Sequence, residues 1–319
     1  MVLATAVLEK LHACFPDARI DFLVRKGNEA LLSGHPYLHE VLVWDKKKNK
    51  WSNLWRLGRR IRQAKYDRLI NIQRFASTGM LTALSGAAET IGFDKNPLSF
   101  FFTRKIPHVV SDGSGAALHE IERNQQLIRA FTDERPARPR LYPTAGDYDK
   151  VRPWQGKQYI TVSPASVWFT KQYPPEKWAA FIRLVPAQYT IYLLGAASDA
   201  ALCGKIRGLA ERNVVELAGQ LSFLQSAALM EQASMNYVND SAPMHFASAV
   251  NAPVTAVYCS TIPAFGFGPL SDEKFIVEIK EPLDCRPCGL HGYRACPQGH
   301  FNCAYKIEDS QLLQTLIPS

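Results

Sequence analysis

No part of this 319-residue chain stays apolar for the ~18–20 residues that a bilayer-spanning helix requires. The opening, MVLATAVLEKLHACFPDA, has neither a basic leader nor a small-residue cleavage site, so no secretory signal is expected. Seven cysteines without an export signal fit a reducing cytoplasm, where disulfides are not expected. No G-x-G-x-x-G follows a predicted strand, which argues against a nicotinamide dehydrogenase, and no G-x-x-x-x-G-K-[ST] is present, which excludes a P-loop. Repeats of short period are lacking as well. Carboxylates are in deficit, 29 against 37 Lys and Arg, for a net charge of +8.

What is present is the composition of a globular protein with a sizeable core, 47% hydrophobic and 21% charged. Short apolar runs alternate with helical patterns. In the first half ARIDFLV, EVLVW, YDRLINI and ETIGF read as strands, with helices over 2–13 and 51–64. In the second half QYITVSP, YTIYLLG, NVVELAG, MNYVND and APVTAVY continue the rhythm. Such alternation predicts an α/β fold of parallel sheets built from βαβ units. The proline- and charge-rich stretch ERPARPRLYPTAGDYDKVRPWQGKQ reads as a linker. Two Rossmann-like domains are therefore expected, 1–150 and 151–305, with a last helix in 306–319 packing back across the boundary. A Rossmann half usually begins with a strand and a glycine-containing turn. Here the first segment is already helical, with Leu3, Ala6, Val7, Leu11 and Cys14 on one face.

Two strand-to-helix loops carry chemistry. SPASVWFTKQYPPEKWAAFI (163–182) follows a strand and enters a helix through Pro174, Pro175 and Glu176, a helix-start signal. Ser163, Ser166 and Thr170 offer hydroxyls and Lys171 a compact cation, a set suited to a diphosphate at the carboxyl edge of a parallel sheet. A capped loop with a solvated lysine would look the same. In the second loop, NDSAPMHFASA, Asp240, Ser241 and His245 crowd a helix N-terminus, where the backbone favours anions. The bland alternative makes Asp240 an N-cap and His245 a core histidine. Taken together, the loops describe one pocket, with phosphate on one side and sugar hydroxyls on the other.

Four segments, SPAS at 163–166, KQYPPEKW at 171–178, LAGQLS at 217–222 and NDSAPMH at 239–245, resemble glycosyltransferase family 9, the heptosyltransferases of lipopolysaccharide core assembly. The amino-terminal LATAVLEKLHACFPDARIDFLVRKGNEALLSGHPYLHEVLVWD and the tail CRPC…CPQGHFNC are similar to that family too. The resemblance implies a GT-B fold of two facing Rossmann domains, an inverting mechanism, no catalytic metal and no cofactor. The donor would be ADP-heptose or another nucleotide-linked sugar, bound in the second domain. By this match Lys171 and Ser166 hold the donor diphosphate, with Ser163 beside them. Asp240 takes the sugar hydroxyls, Ser241, Ala242 and His245 surround the phosphates, and Leu217 and Gly219 lie near the base or ribose. Lys171 and Asp240 would be the catalytic pair. Breaking a glycosyl–phosphate bond places negative charge on the departing diphosphate, and a lysine with helix N-terminal N–H groups can stabilise it. Family members carry a Gly-Asp just before the first helix, read as the loop of the general base; Met1 stands next to that position here. Their usual glycine is Ala242 here.

Residues 44–68 hold ten Lys or Arg against two Asp. Trp51, Leu54, Trp55 and Ile61 recur there at helical spacing, with Gly58 as a gap, and Arg56, Arg59 and Arg60 fall on other faces. The apolar stripe is expected to pack on the sheet. The exposed cations suit an anionic lipid-linked glycan acceptor and a peripheral contact with the inner membrane surface, for a protein otherwise cytoplasmic. No nucleic-acid motif accompanies them. The cysteines Cys285, Cys288, Cys296 and Cys303 have the spacing C-x2-C-x7-C-x6-C, with His291 and His300 nearby. This leaves structural zinc, buried free thiols and a disulfide all open. Two other functional readings are a nucleotide-sugar-binding pseudoenzyme without catalysis and a sugar-nucleotide epimerase of the same architecture.

Overall fold

The computed structural model describes residues 1–110 and 117–316. The chain divides into two compact units, Met1–Pro139 and Arg140–Ser319. The division falls at the head of the proline-rich stretch, where the sequence suggests a boundary near 150.

The first unit begins with a 3-10 turn, Val2–Ala4, and the helix Thr5–Cys14. Strands β1 (Ile20–Arg25) and β2 (Leu38–Trp44) pair in parallel; β3 (Arg68–Asn71), β4 (Glu89–Phe93) and β5 (Arg104–Ile106) form a second parallel set. The first helix buries Val7 and Leu8 but leaves Cys14 exposed, so its packing face is shorter than the pattern suggests. Helix Lys50–Ala64 links β2 to β3 and buries Leu54, Leu57 and Ile61 against Leu42, Trp44 and Leu81. Each such side chain contributes roughly 1.5–3 kcal/mol on leaving water. Trp51 and Trp55 do not belong to this stripe: they stand 64% and 73% exposed. Their places in the packing are taken by Leu57, on the far side of the helix.

The second unit is one six-stranded parallel sheet. Its strands are β6 (Tyr159–Ser163), β7 (Thr190–Leu193), β8 (Val214–Glu216), β9 (Met235–Asn239), β10 (Val254–Tyr258) and β11 (Lys274–Glu278), in the spatial order β11-β10-β9-β6-β7-β8. Read from the other edge this is the doubly wound order 3-2-1-4-5-6, and the strand order reverses between β6 and β9. Strands β6, β9 and β10 are buried at every position, as central parallel strands covered on both faces must be. Across the reversal, Thr161 Oγ1 donates to Asn236 Oδ1 (2.6 Å), and Asn236 Nδ2 reaches the carbonyls of Met230 and Pro253 (2.9 and 2.8 Å).

Helix Asp309–Gln314 lies on the second unit's own core, with Leu312 fully buried. Tyr237 donates its hydroxyl to the Leu312 carbonyl (3.0 Å), and Lys177 pairs with Asp309 (2.7 Å). Positions 317–319 of the expected final segment lie outside the described residues. Among the described residues no helix is long and apolar enough to cross a membrane.

Candidate active site

In an open parallel sheet the crevice at the carboxyl ends of the strands, where the order reverses, is the place for a ligand. The loops leaving β6 and β9 meet there. The β6 loop runs from Pro164 through a 3-10 turn, Phe169–Lys171, into helix Pro175–Leu184, whose first position is proline, compatible with a fixed φ and a missing N–H. The β9 loop is only Asp240 and Ser241 before helix Ala242–Ala249.

Lys171 and Asp240, taken from these two loops, form an ion pair of 2.5 Å, with side chains 14% and 9% exposed. The same carboxylate oxygen, Oδ2, accepts from Thr261 Oγ1 (2.7 Å), on the loop after β10. Asp240 is therefore not a helix cap. Ser241 occupies the N-cap, and its side chain makes no cap bond; its hydroxyl turns back to the Asn239 carbonyl (3.4 Å). The helix start thus carries no side-chain cap, which leaves its amide end suited to an anion. Ala242 is exposed there and His245 half-buried one turn in. Ser163 ends β6 beside Val238 of β9, and its buried Oγ has no hydrogen-bond partner.

Asn239, also buried, ties the two loops together. Its Oδ1 accepts from the Tyr173 N–H (3.0 Å) and its Nδ2 donates to the Pro164 carbonyl (2.6 Å). Ser166 sits half-buried between, and its carbonyl accepts from Gln172 Nε2 (2.6 Å). Thr170, expected as a ligand hydroxyl, is instead buried framework. Its Oγ1 accepts from the Tyr293 N–H (2.8 Å) and from Ser260 Oγ (3.0 Å). Gly292, at φ +75, lies against this knot; a Cβ would come 2.8 Å from Thr170 Oγ1 and 3.3 Å from Lys171 Cγ.

Leu217 and Gly219 follow β8, two strands away from β6. Leu217 is buried, and the Gly219 N–H donates to the Gly195 carbonyl (2.8 Å). Gly219 has φ +75, and a Cβ there would meet Ala197 Cα at 2.8 Å, so this close approach of two loops requires glycine. These two residues share the sheet edge with Lys171 and Asp240 but not their contacts.

The cysteine-rich tail reaches the site rather than forming a separate one. The Cys288 N–H donates to the Ser260 carbonyl (2.8 Å), and Arg286 donates to the carbonyls of Cys259 (2.8 Å) and Thr261 (2.9 Å) while pairing with Glu278. All seven thiols are free. Among the described residues no three His, Cys, Asp or Glu groups are placed to hold a metal ion. Burial, then the neighbouring cysteines, pushes the Cys303 thiol up to about 12, and full burial raises Cys259 well above its ordinary range. Burial and the Asp240 carboxylate likewise raise the Tyr258 phenol. None of these three groups titrates near neutrality. Thr261, Asn239 and Gly292 escape the sequence reading because each acts on a residue distant in the chain.

Two α/β units with parallel sheets, the second doubly wound, have the architecture of the GT-B fold. The chain belongs to glycosyltransferase family 9 (heptosyltransferase), whose family model matches residues 54–290. It is 27% identical over 277 residues to lipopolysaccharide heptosyltransferase 3 of Escherichia coli, an alignment covering 82% of this chain and 80% of that one. Among solved structures, a family 9 glycosyl transferase from Veillonella parvula superimposes with a TM-score of 0.85 at 19% identity, covering 100% and 94% of the two chains. The E. coli ADP-heptose LPS heptosyltransferase II gives 0.79 at 20%, covering 99% and 93%. These two likenesses speak for the fold.

Proposed function

We propose that the chain transfers heptose, with inversion, from an ADP-linked donor to a lipopolysaccharide-core or related anionic, lipid-linked glycan, at the cytoplasmic side of the inner membrane. The observation that carries this reading is the Lys171–Asp240 pair at the reversal between β6 and β9. The heptosyltransferases that the chain resembles supply the sugar and the nucleotide.

In this reading the donor diphosphate competes with Asp240 for the Lys171 ammonium. Phosphate oxygens meet the uncapped start of helix Ala242–Ala249 at Ser241 and Ala242, with His245 behind them and the Ser163 and Ser166 hydroxyls across the crevice. Freed from the lysine but still held by Thr261, the Asp240 carboxylate orients the sugar hydroxyls and favours positive charge at the anomeric carbon. The loop of Leu217 and Gly219 borders the nucleoside. The acceptor hydroxyl attacks the anomeric carbon as the bond to the diphosphate oxygen breaks. Its proton leaves to a base, a part assigned to no described residue. Lys171 and the helix amides stabilise the leaving charge, so the step calls for neither metal nor cofactor. One such preorganised donor is worth on the order of 10²–10³ in rate.

Calorimetric titration with ADP, UDP and GDP, followed by transfer from ADP-heptose to a heptose-deficient core, tests the assignment. ADP binding is expected to be lost in Lys171→Ala. Asp240→Asn should keep the nucleotide but lose at least ~10²-fold in transfer. A folded protein that binds no nucleoside diphosphate, or full transfer in both variants, overturns it. Nucleotide binding without transfer marks the pseudoenzyme, and donor turnover without acceptor marks the epimerase.

A further inference from the structure

The helix Lys50–Ala64 has two jobs on two sides. Leu54, Leu57 and Ile61 supply its whole packing face. Trp51 and Trp55, one turn apart, lie on another side with their indoles 64% and 73% in solvent. At 100° per residue, Arg59 and Arg62 continue the tryptophan side and Arg56 flanks it. Packing within the unit therefore accounts for the leucines and the isoleucine and leaves the tryptophans unexplained. Exposed indoles are costly to keep in water and are at home where an apolar phase meets a wet one.

The charge around them is of one sign. Lys47, Lys48, Lys50, Arg56, Arg59 and Arg62 have no carboxylate partner among the described residues, while Asp45 is taken by Lys26 (2.9 Å) and Glu40 by Arg60. Lys46 lies over the Trp44 ring (4.2 Å) and near that of Phe75 (5.8 Å), itself 64% exposed. Partial burial, with Arg25 and Lys50 close by, depresses its pKa. Asn96 fastens the next loop to the Phe75 carbonyl (3.2 Å), and that loop exposes Phe100 and Phe101, their rings tilted against each other at a centroid distance of 4.2 Å. Lysines and large aromatic rings thus gather at the carboxyl ends of β2 and β3, and the arginines continue along the helix away from that edge.

We infer that this edge, with Trp51 and Trp55 at its centre, seats the protein on an anionic lipid bilayer. The indoles enter the headgroup region and the unpaired lysines and arginines neutralise lipid phosphates, as in interfacial helices that lie on a membrane without crossing it. A nucleic acid would satisfy the cations and leave the indoles as they are, and no nucleic-acid motif accompanies them. The inference rests on the transferase reading only for its purpose, since a lipid-linked acceptor would be met at such a surface. The contact itself stands apart from it.

The test is co-sedimentation of the full chain with vesicles of phosphatidylcholine alone, or of phosphatidylcholine with phosphatidylglycerol, alongside transfer to a delipidated, water-soluble acceptor. Partition onto the anionic vesicles is expected to exceed that onto the neutral ones by more than ~tenfold and to fall with added salt. Trp51→Ala/Trp55→Ala and Arg56→Glu/Arg59→Glu should each weaken it about tenfold or more with unchanged thermal unfolding, and the tryptophan variant should keep transfer to the soluble acceptor within about twofold of wild type. Lipids bearing a quencher should dim the tryptophan emission of the wild type more than that of the double tryptophan variant. Equal partition onto both vesicles, wild-type binding by the variants, or displacement from the vesicles by an oligonucleotide overturns the inference. Loss of soluble-acceptor transfer in the tryptophan variant also overturns it, and moves those rings into the acceptor site. Transfer failing in every variant and in the wild type, with lipid binding intact, removes the transferase reading and leaves this one standing.

Discussion

The two units handle charge in opposite ways. At the reversal of the second sheet one lysine and one aspartate are buried together and share a threonine. At the edge of the first unit a run of cations stands in solvent beside exposed rings. Buried charge survives only when each partner is satisfied, so the first arrangement fixes the geometry of both groups. Exposed charge of one sign fixes nothing locally but sets a field that reaches about a Debye length, ~10 Å at moderate salt. One region reads shape and atom positions; the other reads a surface.

The sharpest contrast lies within a single helix. Leu54→Ala should destabilise the protein by ~2–5 kcal/mol, as loss of a well-packed leucine does, whereas Trp55→Ala should stay within ~0.5 kcal/mol. Urea unfolding midpoints of the two variants decide the matter, and equal losses would place Trp55 in the core after all. A smaller effect is expected at the close approach in the second sheet. Gly219→Ala brings a Cβ onto Ala197 at a positive φ and should cost ~1–3 kcal/mol, seen as a lowered melting temperature together with weaker nucleotide binding. Melting unchanged by that substitution would show that the loops after β7 and β8 give way freely. Smallest is Thr261→Val, which removes one donor from the buried Asp240 carboxylate. It should cost ~1–2 kcal/mol and lower the transfer rate without raising KM for the acceptor, and Thr261→Ser should restore both. A rise in KM alone would mean that Thr261 shapes a binding wall rather than holding Asp240.

These regions differ in how far the sequence discloses them. Lys171 and Asp240 are visible because each sits in a strand-to-helix loop, and the alternation of apolar runs and helices indicates that such loops share an edge. Their direct pairing is not visible, because it depends on β6 and β9 being neighbours although β7 and β8 lie between them in the chain. The same holds for Thr170, whose partners Ser260 and Tyr293 come from far downstream: a hydroxyl in a loop looks available until its partner arrives. Strands β5 and β11 are missed because one is three residues long and the other, KFIVE, is a half-exposed edge strand beginning and ending in charge. In helix Lys50–Ala64 half of the expected stripe, Leu54 and Ile61, packs, and half, Trp51 and Trp55, does not. Trp51, Leu54, Trp55 and Ile61 spread over about 120° of the helix surface, and only the position of the sheet selects Leu57 over the tryptophans.

The bond between Thr161 and Asn236 joins residues 75 apart in sequence, and its consequence is one of timing. Closing so long a loop carries an entropic cost that is met before the central strands gain anything from pairing. On the ribosome the first unit and strands β6 to β8 emerge well before β9. The crevice therefore has only one wall until Asn236 and Asn239 have been synthesised, and Thr170 lacks its final partner until Tyr293 has followed. On the proposed assignment of the crevice, a nucleotide-sugar could not be held by a half-made chain, and donor binding would report that nearly the whole protein has been made and folded.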